Sequence, residues 1–316
     1  MDNKLNNTPY SIGLLLTEGF ALMSYASLIE PLRAANLLAE NELYKVTDIA
    51  VQSSRVKSSS GAIIQTKDAT SDIFDLVLVI TGGDPKKLED TALFDTLRRL
   101  TRSKTIVGGI SGGPYLLAAA GLMRGYRMTV HWEHAPAMQE RWPELLLERS
   151  LYIFDRKRVT CAGGTAPLDL IHSLITEHHG HAFARKVSDW FMHTDFRPAA
   201  GPQRAGLVER IGITDQAILN TIEAMENHIS DPLNLLELSR IAQVGERQLN
   251  RLFKIKLNIT TMAYYRGLRL DMAQNLLRNS SLSVTEISLA TGFSGSAHFS
   301  SCYSQKFGGP PSSQRR

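Results

Sequence analysis

Two stretches of the sequence carry residue types that suit chemistry at a defined site. In the first, VGGISGGPYLLAAAGLM at 107–123, an apolar run leads through a glycine-rich turn into a helical pattern, and this order presents Ser111 on a sharp strand-to-helix turn. In the second, a helical stretch at 246–256 turns basic and amide side chains away from its apolar face. A serine on such a turn suits nucleophilic attack or anion binding, whereas arginine and asparagine suit the recognition of base edges.

Glycines and aromatic residues accompany Ser111 at the predicted edge of a sheet. TGGD at 81–84 follows the preceding strand, and ligands bind where the carboxyl ends of parallel strands meet. Ser111 and the glycine amides could bind a carboxylate, and the aromatic rings could face a cation. The alternatives are a small residue that fits a tight turn and rings that pack in the core. We predict a ligand site formed by Gly82, Gly83, Ser111, Gly112, Gly113, His131, Trp132, Phe20 and Tyr25.

An enzymatic role would require a base that activates Ser111. His131 could serve only if a third group oriented its ring, and no acid nearby in the sequence stands out for that task. We therefore predict no catalytic residue and no cofactor. The alternative is a hydrolase or amidase activity of this domain.

The elements that must position Ser111 follow a strand–helix rhythm. Apolar runs at 11–17, 45–52, 75–81 and 104–110 alternate with helical stretches near 21–39 and 88–102, and a hairpin at 151–164 precedes helices near 165–178 and 181–192. Continuous apolar runs suit parallel strands that helices cover on both faces. The sequence therefore predicts an α/β doubly wound, flavodoxin-like sheet domain.

Composition and charge change near residue 200. DFRPAAGPQRAG at 195–206 combines proline, glycine and alanine without hydrophobic periodicity, which is typical of a linker. Residues up to 203 hold 22 basic and 22 acidic side chains, so the formal net charge of +4 lies entirely in 204–316, the candidate polyanion-binding segment. We predict a first domain at 1–195 that carries the candidate ligand site, a linker at 196–214 and an all-α domain at 215–316 that is the candidate polyanion binder.

The all-α part contains an internal repeat at an offset of 49 to 50 residues. Apolar positions match in pairs, such as Leu238 with Ile287 and Phe253 with Tyr303, and each copy predicts a helix, a tight turn and a second helix. The helical stretch between the copies, from 260 to 279, is about 28 Å long at 1.5 Å per residue. This length approaches the ~34 Å repeat of B-DNA, so it could hold two helix-turn-helix motifs in successive major grooves.

The second helix of each motif is the predicted DNA reader. In the first motif we expect base contacts from Arg247, Asn250 and Arg251, a phosphate contact from Lys254 and a further DNA contact from Gln248. In the second motif the candidates are Ser294, Ser296, His298, Ser300, Ser301 and Ser304. Because serines do not release counterions from DNA, we expect the first motif to supply more of the affinity. A solvated helix face is the alternative for one such helix alone.

Residues 215–316 resemble the DNA-binding domain of the AraC/XylS family. The resemblance rests on LNRLF at 249–253, YYRGLRLDMAQNLL at 264–277, ATGFS at 290–294, HFSSCYSQKFG at 298–308 and PPSSQR at 310–315. It implies a transcription regulator that binds double-stranded DNA, activates transcription and contacts RNA polymerase. Ser301 departs from the family pattern, which usually has arginine there.

Residues 10–195 resemble the class I glutamine amidotransferase-like, or PfpI-like, domain. The motifs are VLVITGGD at 77–84, GGISGGPYLLAAAGL at 108–122, MTVHWEH at 128–134 and TCAGGTAPLDLIHSLI at 160–175. Catalytic relatives have cysteine at Ser111, and an acid of some relatives aligns near Ser24. The resemblance implies a homodimer, and the closest pattern is that of regulators of glycine betaine, carnitine or related amino-acid catabolism. It thus implies a small zwitterionic, quaternary-ammonium or amino-acid effector.

The remaining features narrow the setting. The apolar run at 11–17 is too short for a signal peptide or a membrane span, so we expect a cytoplasmic protein without a membrane partner. Cys161 and Cys302 lie far apart in the chain and predict neither a disulfide nor a metal site. A nucleoid-type DNA binder with a degenerate sensor domain is a third possible function.

Overall fold

The computed structural model describes residues 8–69, 73–102 and 104–314. The chain divides into two units, the first ending at Gln203 and the second beginning at Arg204. Within the described residues, no helix combines the length and the apolar character that a membrane span requires.

The first unit alternates strands and helices, as the apolar runs predict. Its strands are β1 (Tyr10–Leu16), β2 (Tyr44–Ala50), β3 (Arg55–Lys57), β4 (Ile63–Gln65), β5 (Lys67–Asp68), β6 (Leu76–Thr81), β7 (Ile106–Ser111), β8 (Arg127–Met128), β9 (Leu146–Leu147), β10 (Tyr152–Asp155) and β11 (Arg158–Cys161). Its α-helices are α1 (Leu22–Ala39), α2 (Thr91–Arg102), α3 (Gly113–Ala119), α4 (Ala135–Arg141), α5 (Ala166–His179) and α6 (His181–Trp190).

Seven strands form the main sheet, in the order β10-β11-β7-β6-β1-β2-β5. Neighbouring strands are parallel except for the antiparallel β10–β11 pair. Alternate side chains of one strand enter two hydrophobic clusters: Leu78 and Ile80 of β6 belong to one, and Val77 and Val79 to the other. The sheet is therefore covered on both faces, and the predicted doubly wound α/β domain is confirmed.

Short elements were not predicted. The β3–β4 hairpin pairs only three residues on each side, and β8 and β9 pair two. Such pairs give no recognisable alternation, because their side chains are largely exposed. The hairpin contacts the loop before α1, where the Gly19 N–H donates to the Lys57 carbonyl.

Residues 196–203 differ from the predicted linker because they pack on the first unit. Arg197 pairs with Asp169 of α5, and the Ala199 carbonyl accepts the Leu151 N–H. The side-chain amide nitrogen of Gln203 lies within hydrogen-bond distance of three oxygens near β8. A Pro/Gly/Ala composition does not distinguish a free linker from an irregular segment that finds partners for its polar groups.

The second unit is helical. Its α-helices are α7 (Leu207–Ile211), α8 (Gln216–Asn227), α9 (Leu235–Ile241), α10 (Glu246–Leu257), α11 (Thr261–Asn279), α12 (Val284–Ala290) and α13 (Ser296–Phe307). The pairs α9–α10 and α12–α13 are the two predicted helix-turn-helix motifs, and α11 is the helix between them. α7 lies within the predicted linker, where five residues form a single short helix.

The two motifs repeat their helix ends as well as their cores. Capping boxes begin both first helices, formed by Asn234 with Glu237 and by Ser283 with Glu286. The equivalent turn residues Gln243 and Gly292 both have left-handed backbones, with φ of 58° and 70°.

Candidate effector and DNA-binding sites

Ser111 ends β7 in a left-handed backbone conformation. Its φ is 61°, which is uncommon for a residue with a Cβ atom and marks stored strain. Thr81 at the end of β6 lies opposite it in the parallel register. A Cβ atom on Gly163 would come within 2.6 Å of the Ser111 Cβ, so glycine is required where the loop after β11 crosses this turn. The predicted strand-to-helix elbow is therefore present.

The glycines of this edge serve different purposes. A Cβ on Gly82 would lie 2.4 Å from the Gly19 carbonyl oxygen, and one on Gly113 would lie 2.1 Å from the Val79 oxygen, so both permit close backbone packing. Gly83 instead has a φ of 64° and open space around the position of a Cβ atom. Gly83 is thus the glycine of this set that the backbone conformation alone demands.

Fewer backbone N–H groups of the elbow are free to bind a ligand than its glycine content predicts. The Gly112 N–H donates to the Thr81 carbonyl at 3.2 Å, and the Tyr115 N–H donates to the Gly112 carbonyl at 3.1 Å. Pro114 between them has no N–H. The predicted ligand contact from the Gly112 amide is therefore replaced by a bond within the protein, because that N–H is taken up in closing the elbow.

His131 lies against the elbow through its backbone. Its N–H donates to the Ser111 carbonyl at 3.3 Å, and its Nδ1 accepts the Glu133 N–H at 3.3 Å. An accepting Nδ1 assigns the proton of the neutral ring to Nε2. Burial lowers the pKa of His131, and burial together with the charge of His131 lowers the pKa of His134 to about 4. Both rings are therefore neutral near neutral pH.

Trp132 presents an aromatic surface next to this histidine. Its side chain is 43% exposed, and its ring centroid lies 5.4 Å from that of His131. His131 thus contacts Ser111 through its backbone N–H, and Trp132 follows His131 in the same loop.

Phe20 and Tyr25 belong to the core of the first unit. Phe20 is fully buried, and its ring packs edge-on against Tyr25 at 5.4 Å. The Tyr25 hydroxyl donates to an Asp48 carboxylate oxygen at 3.0 Å. Neither ring is exposed to a ligand in this structure, since core packing takes up both.

Ser24 is a residue at this edge that our site prediction did not include. It is fully buried in the first turn of α1, and its hydroxyl has no hydrogen-bond partner among the described residues. A buried hydroxyl without a partner costs about 1–3 kcal/mol, so it marks a place for a water molecule or a ligand atom. Its alignment with an acid of the resembling family was the available signal.

The first reading helix, α10, exposes most of its predicted contact residues. Leu249 and Phe253 are fully buried, and Arg247, Gln248, Arg251 and Lys254 are exposed. Asn250 is half-buried, and its side-chain oxygen accepts the Thr261 N–H at 3.2 Å. The helix therefore presents a basic face, while part of the Asn250 amide is used to hold the start of α11.

The second reading helix, α13, exposes hydroxyls and one imidazole. Phe299 and Tyr303 are fully buried. Ser294, Ser296, His298 and Ser301 are exposed, and Ser300 and Ser304 are half-buried. The Lys306 ammonium donates to the Gly267 carbonyl and to Asp271, both at 2.7 Å. The cation that this helix does carry is therefore paired with α11.

Comparisons with known proteins agree with both halves of this description. Residues 11–177 match the DJ-1/PfpI family, and residues 238–316 match a family described as a helix-turn-helix domain, HTH_18. The chain is 45% identical over 308 residues to the HTH-type transcriptional regulator GlxA of Rhizobium meliloti, covering 96% of this chain and 95% of that protein. It is 39% identical over 303 residues to the HTH-type transcriptional regulator CdhR of Pseudomonas aeruginosa, covering 95% and 90%.

A solved structure shares the fold of the first unit. An AraC family transcriptional regulator from Pseudomonas putida superposes with a TM-score of 0.53 at 24% identity, covering 58% of this chain and all of that one. Fold, motifs and full-length relatives lead to one assignment. The chain belongs to the AraC-family DNA-binding transcriptional regulators that carry an N-terminal DJ-1/PfpI domain.

Proposed function

We propose that the chain activates transcription in response to a small zwitterion that binds at the Ser111 elbow. The observation that carries this proposal is the strained Ser111 turn with the half-exposed Trp132 ring in the adjoining loop. Residues with strained backbone conformations cluster at functional sites, and an exposed indole face attracts a quaternary ammonium. The serine hydroxyl supplies a hydrogen bond for the carboxylate of the same ligand.

The orientation of His131 argues against a hydrolase. In a serine triad the histidine Nε2 takes the serine proton, and an acid holds the Nδ1–H. Here Nδ1 accepts a backbone N–H from Glu133, so the proton of the neutral ring lies on Nε2. A ring held this way is a poor base toward Ser111, which supports a binding role without catalysis.

The remaining parts of the proposal follow from the family. We expect the chain to act in the cytoplasm as a homodimer on double-stranded DNA and to contact RNA polymerase.

Calorimetry on the full chain tests the effector site. Glycine betaine and carnitine serve as probes, and Trp132→Leu should weaken binding of the better probe by about 2- to 30-fold, the range for a lost cation–π contact. Trp190→Leu is the matched control, because that indole is 49% exposed at the end of α6. Ser111→Ala should weaken binding of the probe while leaving the thermal unfolding temperature unchanged.

Two results would count against this function. If neither glycine betaine nor carnitine binds to the full chain, the proposed ligand class is wrong. Amide or ester hydrolysis that disappears in Ser111→Ala would replace the binding role with the enzymatic alternative.

A further inference from the structure

The last residues of the first unit form a docked strap, defined here as Arg197–Gln203. At its start, the Arg197 guanidinium donates to Asp169 Oδ2 through Nε at 3.0 Å and through Nη2 at 2.7 Å, and the Arg197 N–H donates to Oδ1 at 3.0 Å. The Asp169 side chain is only 1% exposed. Three hydrogen bonds to a buried carboxylate, two of them from the charged guanidinium, make this end of the strap a firm attachment.

The other end of the strap is held by one side chain. The two hydrogens of Gln203 Nε2 are shared among three acceptors, Thr129 Oγ1 at 3.0 Å, the Val130 carbonyl at 3.1 Å and the Ser150 carbonyl at 2.8 Å. Its Oε1 is buried and has no partner among the described residues. Because a buried acceptor without a partner costs free energy, this attachment is weaker than its three contacts suggest.

One peptide group joins Gln203 to the elbow. The carbonyl of Val130 accepts Gln203, and the N–H of the same peptide, which belongs to His131, donates to the Ser111 carbonyl at 3.3 Å. A peptide group is planar and rigid, so its carbonyl and its N–H tilt together. A tilt of this peptide therefore changes the hydrogen bond to Ser111 and the hydrogen bond to Gln203 together.

We propose that the Val130–His131 peptide transmits the state of the elbow to the strap, and that Gln203 is the releasable contact through which effector binding regulates DNA binding. This inference rests on the proposed function, since it takes the effector to bind at Ser111. Arg204, the first residue of the DNA-binding unit, follows Gln203 directly in the chain. Docking or release of Gln203 thus sets whether the second unit is tethered at its first residue or about five residues earlier, at Ala199, whose carbonyl accepts the Leu151 N–H.

Hydrogen exchange on the ligand-free full chain tests the link itself. Gly163→Ala would displace the elbow, because the new Cβ would lie within 2.6 Å of the Ser111 Cβ. We expect exchange in the strap peptides to rise by about tenfold or more, and Ser111→Gly, which relaxes the left-handed turn, to act in the same direction. Gln203→Ala should likewise speed exchange of the His131 amide. Gln139→Ala, an exposed change on α4, is the control that should alter neither region.

Effector coupling is then measured with glycine betaine as the probe. In Gln203→Ala, betaine affinity should stay within about threefold of wild type, while the betaine-induced change in DNA affinity falls to within about twofold of none. By linkage, DNA should also stop changing the affinity for betaine. Gln203→Glu, which cannot donate to the three oxygens, should behave as Gln203→Ala does.

The outcomes separate this inference from the proposed function. If neither betaine nor carnitine binds the wild-type chain, the proposed ligand is refuted. The hydrogen-exchange experiment would still decide whether the elbow and the strap are linked. The proposed link would be overturned if hydrogen exchange in the strap is unchanged in both elbow variants. It would also be overturned if the Gln203→Ala chain keeps the full betaine effect on DNA affinity.

Discussion

The two helix-turn-helix motifs of the second unit share their backbone features and differ in their exposed chemistry. Each motif begins with a capping box, turns through a left-handed residue and ends its second helix with another left-handed residue, Asn258 or Gly308. The exposed face of α10 carries arginines, whereas the equivalent face of α13 carries serines. Arg251 and Ser301 occupy the same position in the repeat.

This difference separates the residues that form the motif geometry from the exposed residues that we expect to set the DNA affinity. The buried positions and the helix ends determine that both reading helices form, and the exposed positions determine what each one can bind. We therefore expect α10 to dominate phosphate neutralisation and base recognition, and α13 to adjust position through hydroxyl contacts.

The largest effect is expected at the turn of the second motif. Gly292→Ala would place a Cβ 2.6 Å from the Pro232 ring and 2.8 Å from the Ile229 oxygen, at a φ of 70°. The strain and the overpacking together should lower the free energy of unfolding by about 2–5 kcal/mol. Gln243→Gly at the equivalent turn should instead change it by less than about 1 kcal/mol. Chemical denaturation of both variants measures the contrast, and equal losses would show that the two turns are packed alike.

The next effect concerns the reading helices themselves. Arg251→Ala should weaken specific DNA binding by about 1–3 kcal/mol, the usual value of a good base contact. Ser301→Ala, its counterpart in the repeat, should cost less than about 0.5 kcal/mol because a serine hydroxyl is readily replaced by water. Fluorescence anisotropy with the same duplex checks both. A larger loss from Ser301→Ala would reverse the assigned order of the two helices.

Helix capping should contribute equally in the two motifs. Asn234→Ala and Ser283→Ala each remove the side-chain acceptor of a capping box, at a cost of about 1 kcal/mol in the free energy of unfolding. Thermal unfolding of the two variants provides the comparison. Unequal shifts in the unfolding temperature would mean that the two capping boxes do not contribute equally to stability.

Adding a positive charge to α13 should make its contribution to DNA binding more like that of α10. Ser301→Arg should steepen the salt dependence of DNA binding by about 0.9 in log–log slope, the value for one additional phosphate contact. Ser296→Arg at the exposed start of α13 is a position control. An unchanged slope in both variants would indicate that α13 does not approach the DNA backbone.

Periodicity and apolar runs were sufficient to predict the main elements. The strand at 75–81 became β6 over Leu76–Thr81, and the helix at 165–178 became α5 over Ala166–His179, because buried runs of this length leave few alternatives. The repeat predicted α9, α10, α12 and α13 from apolar spacing alone. Ser111 was predictable as the elbow because its glycine-rich surroundings occur at few other turns.

Contacts between distant residues could not be predicted in this way. Nothing local shows that Gln203 reaches Thr129, or that Phe20 packs in the core although aromatic rings also suit ligand sites. The use of the Gly112 amide within the elbow depends on the register of β6 with β7. These features follow from tertiary packing, which overrides the local pattern of residues.

Salt titration of DNA binding by the full chain tests the central claim most directly. The duplex is the region upstream of the chain's own gene, and the binding constant is measured at several salt concentrations for the wild type, Lys254→Ala and Ser301→Ala. We predict a specific complex whose affinity falls steeply with salt, with a slope that is shallower by about 0.5 to 1 in Lys254→Ala and unchanged in Ser301→Ala. A folded chain without salt-sensitive DNA binding, or with a slope that depends on Ser301 and not on Lys254, would contradict the account.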